Sequence, residues 1–295
     1  MKPAPAEEEY RRIATTVVAV STLPRTSRLD DADLERRFGG LRRLYGDAAY
    51  ARLRAAHIVV VGVGGVGSWA AEALARSGVG ALTLVDLDQV SESNVNRQVQ
   101  ALGATLGQAK VDALRARIAD IHPGCDLRTV EEFVDASNWP ALLVAAWRHE
   151  PGRRVDAVID ACDQGLAKAV LGAWALATAT PLVVVGAAGG KRRPQDVAID
   201  DLGLVTHDPM LASLRQRLRK FHGAARQGPI GLACVHSREA IAAPADACEV
   251  GDGTLNCHGY GSSVTVTATF GMVAAGAAIE SVLAAQGPAS DPAQL

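Results

Sequence analysis

The sequence predicts an α/β fold, a Rossmann-like and mostly parallel sheet with flanking helices. Short apolar strands alternate with helix-length segments between residues 57 and 185, the pattern of βαβ units. A glycine-rich turn, Gly62-x-Gly64-x-x-Gly67, directly follows the first of these strands, where nucleotide-binding folds place one. Apolar residues make up 48% of the 295-residue chain, enough for a sizeable core.

The elements follow in order along one domain, expected at residues 29–286 between a flexible tail at 1–28 and a second tail at 287–295. A polar helical stretch containing four arginines and a short helix near 48–55 come first. We then expect strands at 57–61, 81–85, 126–131, 155–159 and 181–185. Helices are expected between them at 65–77, 107–121, 137–147 and 164–178.

After residue 185 the regular alternation of strands and helices ends. A short strand near 197–200 and a basic helix at 208–221 precede a glycine-rich segment, 222–262, which lacks a clean period and predicts a long, partly mobile loop. A closing helix begins near Val264. The run 264–285 is apolar, but it is rich in small residues and contains Glu280, which favours a helix packed inside the fold over a membrane span.

Composition excludes several classes of protein. A formal net charge of -2 gives no global signal for nucleic acid, so an RNA site would have to be a local patch. The five cysteines include no Cys-x-x-Cys pair, which argues against a zinc ribbon and a secreted disulfide framework. The first ten residues contain no apolar signal core, so we expect a cytoplasmic protein.

The glycine turn is the first candidate binding element, formed by Gly62, Gly64, Gly65 and Gly67. The first glycine allows the tight turn, the second lets the backbone approach a phosphate, and the last lets the helix pack close to the strand. The N-terminus of that helix offers free N–H groups to an anion. Asp86 ends the next strand, where a carboxylate accepts from ribose hydroxyls, and Asp88 follows it. These features suit NAD and ATP equally.

Three polar residues favour ATP over NAD: Asn94, Arg97 and Lys110. A triphosphate attacked at its α-phosphorus accumulates charge that an arginine fork and a lysine point charge can stabilise. Asp163, beyond the fourth strand, is placed to hold Mg²⁺ against the phosphates, although it could instead cap the helix that follows. Asp160 is expected to orient the backbone or a neighbouring residue.

These residues resemble the adenylyltransferase family related to ubiquitin-activating enzymes (the ThiF, MoeB and HesA group). The motifs that match are Gly62 to Gly67, Asp86 to Asp88, Ser93 to Gln98, Gly107 to Lys110 and Asp160 to Asp163. Further segments resemble the tRNA threonylcarbamoyladenosine dehydratase branch over roughly residues 34–285: 37–40, 43–46, 67–76, 186–190, 207–209 and 265–271.

The resemblance implies an adenylyltransferase domain that binds ATP with Mg²⁺, acts as a homodimer and cyclises the threonylcarbamoyl group of an adenosine next to the tRNA anticodon. Asp86 would then hold ribose, Arg97 and Lys110 the phosphates, and Asp163 the metal. Arg43 is the candidate for an arginine that reaches the γ-phosphate, in its own or the partner subunit. A cysteine desulfurase and sulfur-acceptor system is implied as a neighbour. No covalent enzyme intermediate is required, and we expect Cys234 and Cys257 to be non-catalytic.

The tRNA would need a basic surface. The dense cationic segments beyond the nucleotide core contain Lys191, Arg192, Arg193, Arg215, Arg217, Arg219, Lys220 and Arg226. Such a patch can contact RNA phosphates, although a solvated helix face would look the same.

Three other functions remain open at this point. The chain could adenylate the C-terminus of a ubiquitin-like sulfur carrier, as its relatives with zinc cysteines do. It could be an NAD-dependent oxidoreductase, in which case Arg97 and Lys110 would have no role. It could also be a module that senses ATP without turnover.

Overall fold

In the computed structural model, the described residues are 20–21, 31–147, 149–150, 153–241 and 260–285. Over these ranges the strands are β1 (Val20–Ser21), β2 (His57–Val61), β3 (Ala81–Val85), β4 (Asp126–Val130), β5 (Ala157–Asp160), β6 (Leu182–Val185), β7 (Val197–Asp201) and β8 (Ala233–Ser237). The α-helices are α1 (Asp31–Tyr45), α2 (Asp47–Ala55), α3 (Gly67–Arg76), α4 (Lys110–Ile121), α5 (Ala141–Ala146), α6 (Gly165–Thr178), α7 (Pro209–Phe221) and α8 (Val264–Ala284).

The eight strands of these ranges form one sheet in the order β1-β4-β3-β2-β5-β6-β8-β7. The six central strands are parallel, and the edge strands β1 and β7 pair antiparallel with their neighbours. The chain proceeds outward from β2 in one direction and then returns to add β5 on its other side. That reversal creates a crevice beyond the carboxyl ends of β2 and β5, where ligands bind in such sheets.

Alternation along β2 divides the core into two layers. Ile58 and Val60 belong to the layer packed under α3, α4 and α8, whereas Val59 and Val61 face the layer under α5, α6 and α7. All five residues of β2 are buried, as expected for a central parallel strand covered on both faces. The predicted α/β fold with flanking helices and a closing helix is confirmed.

The closing helix α8 has the length and hydropathy of a membrane span, but half of its apolar window is buried inside the fold. Val266, Phe270 and Ala274 lie in the core layer that α8 shares with α3. At Gly271, an added Cβ would lie 2.5 Å from the carbonyl oxygen of Val66. Small residues therefore let α8 pack directly on α3.

Two strands lie where the sequence predicted none. β8 falls inside the expected long loop at 222–262, and β1 falls inside the expected tail at 1–28. β8 is only five residues long and carries Cys, His and Ser, so its apolar pattern is weak. Its place between β6 and β7 is nevertheless secured by pairing on both sides. Residues 242–259 of that predicted loop, with Cys248 and Cys257, and the remainder of both tails lie outside the described residues.

Candidate active site

A cleft of about 800 Å³ lies at the carboxyl edge of the central strands. One wall comes from the segments that follow β2 and β3 and from the start of α4, and the opposite wall comes from the segments that follow β5 and β6. The start of α8 and residues 260 and 262 close one end. The cleft therefore occupies the crevice that the strand order creates.

The glycine turn has the backbone that its sequence requires. Gly62 has φ +81°, and a Cβ there would lie 2.8 Å from the backbone nitrogen of Cys162. A Cβ on Gly67 would overlap the carbonyl oxygen of Gly62. Helix α3 begins at Gly67, and among the described residues no side chain caps it. The N–H of Ser68 donates to the carbonyl of Gly64 at 3.1 Å, and the partial positive charge of the helix N-terminus still favours a phosphate at this turn.

Gly65 explains how an arginine reaches this turn. A Cβ on Gly65 would lie 3.3 Å from Cγ and Cδ of Arg97 and 3.4 Å from Cγ2 of Thr267. Without a side chain at residue 65, the aliphatic part of Arg97 lies directly over the turn. Its guanidinium Nη1 donates to the carbonyl of Ser93 at 2.6 Å and to Oδ1 of Asn96 at 3.1 Å.

Asp86 lies at the end of β3 and is 9% exposed. Its carboxylate accepts from the backbone N–H of Val63 at 2.7 Å and from that of Asp88 at 2.9 Å. Burial raises the pKa of Asp86, although Lys110 and the two backbone donors oppose that shift. The carboxylate thus fixes the glycine turn from below, and it also lines the cleft.

Lys110 opens α4, and its ammonium lies 2.7 Å from Oδ2 of Asp88. The lysine side chain is 8% exposed and the aspartate side chain 54%. The partner of this buried cation is therefore itself open to solvent, and both residues line the cleft.

Asn94 lies in the same wall but has a structural contact. It is 7% exposed, and its Oδ1 accepts from the backbone N–H of Ser91 at 3.1 Å, which caps the short 3₁₀ turn Glu92–Asn94. Asn94 therefore stabilises the loop that positions Arg97 beside the glycine turn.

The opposite wall contains Asp163, which is exposed and lines the cleft. The residue at the N-cap of α6 is Gln164, so the alternative reading of Asp163 as the cap of that helix is not observed. Asp160 orients a neighbour, as expected, but the neighbour is Lys168, which the sequence analysis did not single out. Their ion pair is 3.0 Å long and fully buried.

Residues that support or line the cleft were also missed. Gln100 is 1% exposed and donates from Nε2 to the carbonyl of Val63 at 2.9 Å, which holds the glycine turn from the side. Phe133 and Tyr260 are partly exposed aromatic residues that line the cleft. They stand alone in loops, so no spacing in the sequence marks them.

Arg43 is not among the residues that line the cleft. It is exposed on α1, which packs against the C-terminal end of α4, where Arg37 donates to the carbonyls of Asp120 and Ile121. That end of α4 lies at the edge of the sheet opposite the cleft. A contact between Arg43 and bound ATP would therefore have to cross to a second subunit.

The basic segments divide into surface cations and structural ones. Lys191 is 3% exposed and donates to the carbonyls of Ser237 at 3.1 Å and Glu239 at 2.9 Å. Arg215 donates to the carbonyls of Leu202 and Val205. Lys191 is thus not open to RNA phosphates, contrary to expectation. Arg215 is partly exposed and only its Nη1 is engaged, so its contact with RNA stays a prediction.

The remaining cations of this group are at least partly exposed: Arg192, Arg193, Arg217, Arg219, Lys220 and Arg226. Of these, Arg193 pairs with Asp196 at 2.7 Å, and Arg219 donates to the carbonyl of Ala225 at 2.8 Å. Lys220 is exposed, with its ammonium 5.0 Å from the ring centre of Phe221. A reduced basic surface therefore remains on and beside α7.

Comparison with known proteins gives consistent matches. The model of the ThiF family matches residues 37–294. A tRNA threonylcarbamoyladenosine dehydratase of Escherichia coli is 40% identical over 259 residues, covering 84% of this chain and 94% of that protein. One of Haemophilus influenzae is 38% identical over 255 residues, with the same coverage of 84% and 94%.

A solved structure resembles this fold over nearly its whole length. It is the crystal structure of the E. coli tRNA N6-threonylcarbamoyladenosine dehydratase TcdA in complex with ATP. The TM-score is 0.75 at 40% identity, and the match covers 87% of this chain and 97% of that one.

Proposed function

The chain belongs to the ThiF family, and we propose that it catalyses the ATP-dependent dehydration of N6-threonylcarbamoyladenosine in tRNA. The observation that carries the proposal is the convergence of Arg97 and Lys110 on the wall that also presents the glycine turn. A dinucleotide needs only the helix N-terminus for its pyrophosphate. Two cations beside that helix suit a triphosphate instead.

The first step is adenylation. A threonyl carboxylate oxygen attacks the α-phosphorus of ATP, the bond to the bridging oxygen breaks, and pyrophosphate leaves. Negative charge grows on the bridging and non-bridging oxygens during this attack, and preorganised donors at those positions lower the barrier. Arg97 offers a planar fork of donors, and Lys110 offers a point charge. The backbone N–H groups at the start of α3 complete the cradle.

The second step is ring closure. The carbamoyl group of the same side chain attacks the acyl carbon, AMP leaves, and a five-membered ring forms with net loss of water. Because nucleophile and acyl group belong to one molecule, positioning alone supplies much of the rate. Thiol chemistry is not needed, and burial raises the pKa values of Cys162 and Cys234, which disfavours their thiolates.

Asp163 fits the role of a magnesium ligand. Its carboxylate is exposed and lines the cleft, whereas the Asp86 carboxylate is buried between two backbone donors. A carboxylate oxygen is the ligand type that Mg²⁺ prefers. When bound there, Mg²⁺ would neutralise phosphate charge, and Asp163 would hold it on the wall that faces Arg97.

The polymeric substrate and the assembly are further parts of the proposal. The cations on α7, namely the partly exposed Arg217 and Arg219 and the exposed Lys220, would contact tRNA phosphates. A homodimer would allow Arg43 to approach the γ-phosphate of a partner, which it cannot do within its own subunit. We place the enzyme in the cytoplasm, where its substrate would be.

The proposal is tested by mass spectrometry of nucleosides from threonylcarbamoyl-modified tRNA incubated with the protein and MgATP. We expect the modified adenosine to lose one water, with ATP converted to AMP and pyrophosphate. The Arg97→Ala variant should give no such product in the same time.

A different outcome would redirect the assignment. If the tRNA mass is unchanged while a ubiquitin-like carrier protein drives pyrophosphate exchange, the chain activates a protein C-terminus instead. If ATP binds and neither acceptor reacts, the chain is a nucleotide-binding module.

A further inference from the structure

Lys168 is a fully buried cation that the proposed chemistry does not use. It lies in the first turn of α6, is 0% exposed, and forms an ion pair with Asp160, which is also 0% exposed. Its ammonium donates to Oδ1 of Asp160 at 3.0 Å, to the carbonyl of Asp160 at 3.3 Å and to the carbonyl of Val185 at 2.9 Å. All three N–H groups of the ammonium thus have acceptors.

These acceptors lie at two strand ends. Asp160 is the last residue of β5, and Val185 is the last residue of β6. The two strands are neighbours in the parallel sheet, so one ammonium joins their carboxyl ends. Beyond those ends the chain forms the two segments of the far cleft wall, 161–165 and 186–189.

The first of these segments is packed onto the glycine turn. A Cβ on Gly62 would lie 2.9 Å from the carbonyl carbon and oxygen of Ala161 and 2.8 Å from the nitrogen of Cys162. The thiol of Cys162 also donates to Oδ1 of Asp160 at 3.0 Å. A shift of the Asp160 backbone would therefore move both Asp163 and the wall against which the glycine turn rests.

The second segment has a matching restraint. The backbone N–H of Ala187 donates to Oδ2 of Asp208 at 2.8 Å, and Asp208 is 3% exposed. A Cβ on Gly186 would overlap this carboxylate. Lys168 thus fixes Val185, which directly precedes the 186–189 segment, and Asp208 fixes the segment itself at Ala187.

We propose that Lys168 is a positioning residue, whose ammonium fixes the ends of β5 and β6 and thereby aligns Asp163 and the 186–189 segment against the nucleotide. Because its side chain has no exposed surface, Lys168 cannot touch a substrate and acts only through these two segments. The expected effect of Lys168 on the reaction rate rests on the proposed adenylation chemistry. Its effect on the position of the two segments does not.

The energetics favour a positioning role over simple stabilisation. Burying two charges carries a large desolvation penalty, and replacing such a pair with apolar residues is often neutral or stabilising. The N-terminal end of a helix is also unfavourable for a cation. Although burial disfavours the charged form, the Asp160 carboxylate raises the pKa of Lys168. The second carboxylate oxygen, Oδ2 of Asp160, has no hydrogen-bond partner among the described residues. A stability element would not need such an arrangement.

The test uses the double variant Lys168→Met/Asp160→Asn in the full-length protein. It removes both charges at nearly constant volume, so it avoids the unpaired buried carboxylate that Lys168→Met alone would leave. The single variant Asp160→Asn serves as the matched control, because the carbonyls of residues 160 and 185 can still accept from the ammonium. It leaves that buried cation without its counter-charge, so urea denaturation must first show that this variant is folded. Hydrogen exchange of backbone amides and steady-state kinetics are measured on all three proteins.

In the double variant we expect faster exchange confined to 161–166, 186–190 and the glycine turn packed against them, with the amides of β3 unchanged. The kcat for dehydration should fall on the order of 100-fold, as for a misplacement of about 1 Å, while the KM for ATP changes by less than about three-fold. Asp160→Asn should stay within about five-fold of the wild-type kcat, because the two carbonyl contacts survive.

Several results would overturn the inference. Exchange that accelerates throughout the protein would make the pair a global stability element. A folded double variant with unchanged exchange, or with locally faster exchange but an undiminished kcat, would remove the positioning role. If the wild-type protein does not dehydrate tRNA, the proposed function fails, whereas the exchange pattern still decides whether Lys168 fixes the two segments.

Discussion

The cations on the two sides of the cleft differ in whether their hydrogen-bond partners are exposed or buried. On the wall built from β2, β3 and α4, Lys110 pairs with Asp88, whose side chain is 54% exposed, and Arg97 donates to atoms of an exposed loop. Behind the opposite wall, which follows β5 and β6, Lys168 and Lys191 are buried and donate to backbone carbonyls, and Lys168 also pairs with the buried Asp160. We expect Lys110 and Arg97 to exchange these partners for a ligand, and Lys168 and Lys191 to keep theirs.

The difference shows that burial of the partner decides what a charge can do. A buried carbonyl that loses its donor keeps the full desolvation penalty, so it retains its cation firmly. An exposed carboxylate or carbonyl regains water when its cation leaves, so it releases the cation at little cost. The ligand-facing wall and the scaffold wall are therefore separated by solvent exposure rather than by the number of positive residues.

The largest effect is expected on the ligand-facing wall, hereafter the exchangeable wall, which contains Arg97 and Lys110. Arg97→Ala should lower the kcat for adenylation on the order of 10²- to 10³-fold, because the fork of donors to the developing charge is lost. The fold should be unaffected, since the backbone carbonyl of Arg97 still accepts from Nε1 of Trp69. Pyrophosphate release and thermal unfolding are measured together.

A matched arginine control comes from Arg76→Ala. Arg76 is 57% exposed and pairs with Glu72, which also pairs with Arg117. We expect activity within about two-fold of wild type, because the buried Glu72 keeps Arg117 as its partner when Arg76 is removed. A comparable loss in both variants would mean that the assay reports general damage and not the site.

The second prediction separates the two members of the Lys110–Asp88 pair. Lys110→Met should lower kcat about 100-fold, because a point charge on the phosphates is lost. Asp88→Asn keeps that charge and removes only its exposed partner, so its kcat should stay within about ten-fold of wild type. Steady-state kinetics of both variants decide the matter. Equal losses in kcat would show that the ion pair itself, and not a free lysine, is what the site needs.

The sequence predicted the exchangeable wall better than the scaffold wall. Gly62, Asp86 and Lys110 occur at fixed spacing from apolar strands, and local spacing places a residue at a strand end or a helix start. Their positions beside the cleft follow from the strand order alone. The spacing did not reveal that Asn94 caps a turn, because that contact depends on loop conformation.

The scaffold wall depends on contacts that are distant in sequence. Lys191 meets the carbonyls of Ser237 and Glu239 only because β8 inserts between β6 and β7, and β8 itself was not foreseen. Lys168 lies in an alanine-rich helix segment without a motif. A basic residue in a sequence therefore shows that a charge exists, and only the fold shows whether that charge is available.

The third prediction concerns Lys191. Lys191→Met should lower the free energy of unfolding by about 1–3 kcal/mol, because two carbonyls lose a buried donor. Urea denaturation provides the measurement. If stability is instead unchanged and the KM for tRNA rises, Lys191 is an available RNA-binding cation, and the two walls no longer differ in the way described.

The smallest effect is expected at the exposed cations outside the cleft, and Lys220 sharpens the comparison there. Its side chain is exposed and packs only loosely, with the ammonium 5.0 Å from the ring centre of Phe221. Lys220→Ala should leave the free energy of unfolding within about 0.5 kcal/mol of wild type. It should weaken tRNA binding a few-fold and lower the slope of log K against log salt concentration by about one unit, as expected for one lost phosphate contact. Binding of modified tRNA is measured across a salt series, with ATP affinity as the internal reference. An unchanged salt slope would remove Lys220 from the RNA surface, whereas a change in stability as large as that of Lys191→Met would place it among the scaffold cations.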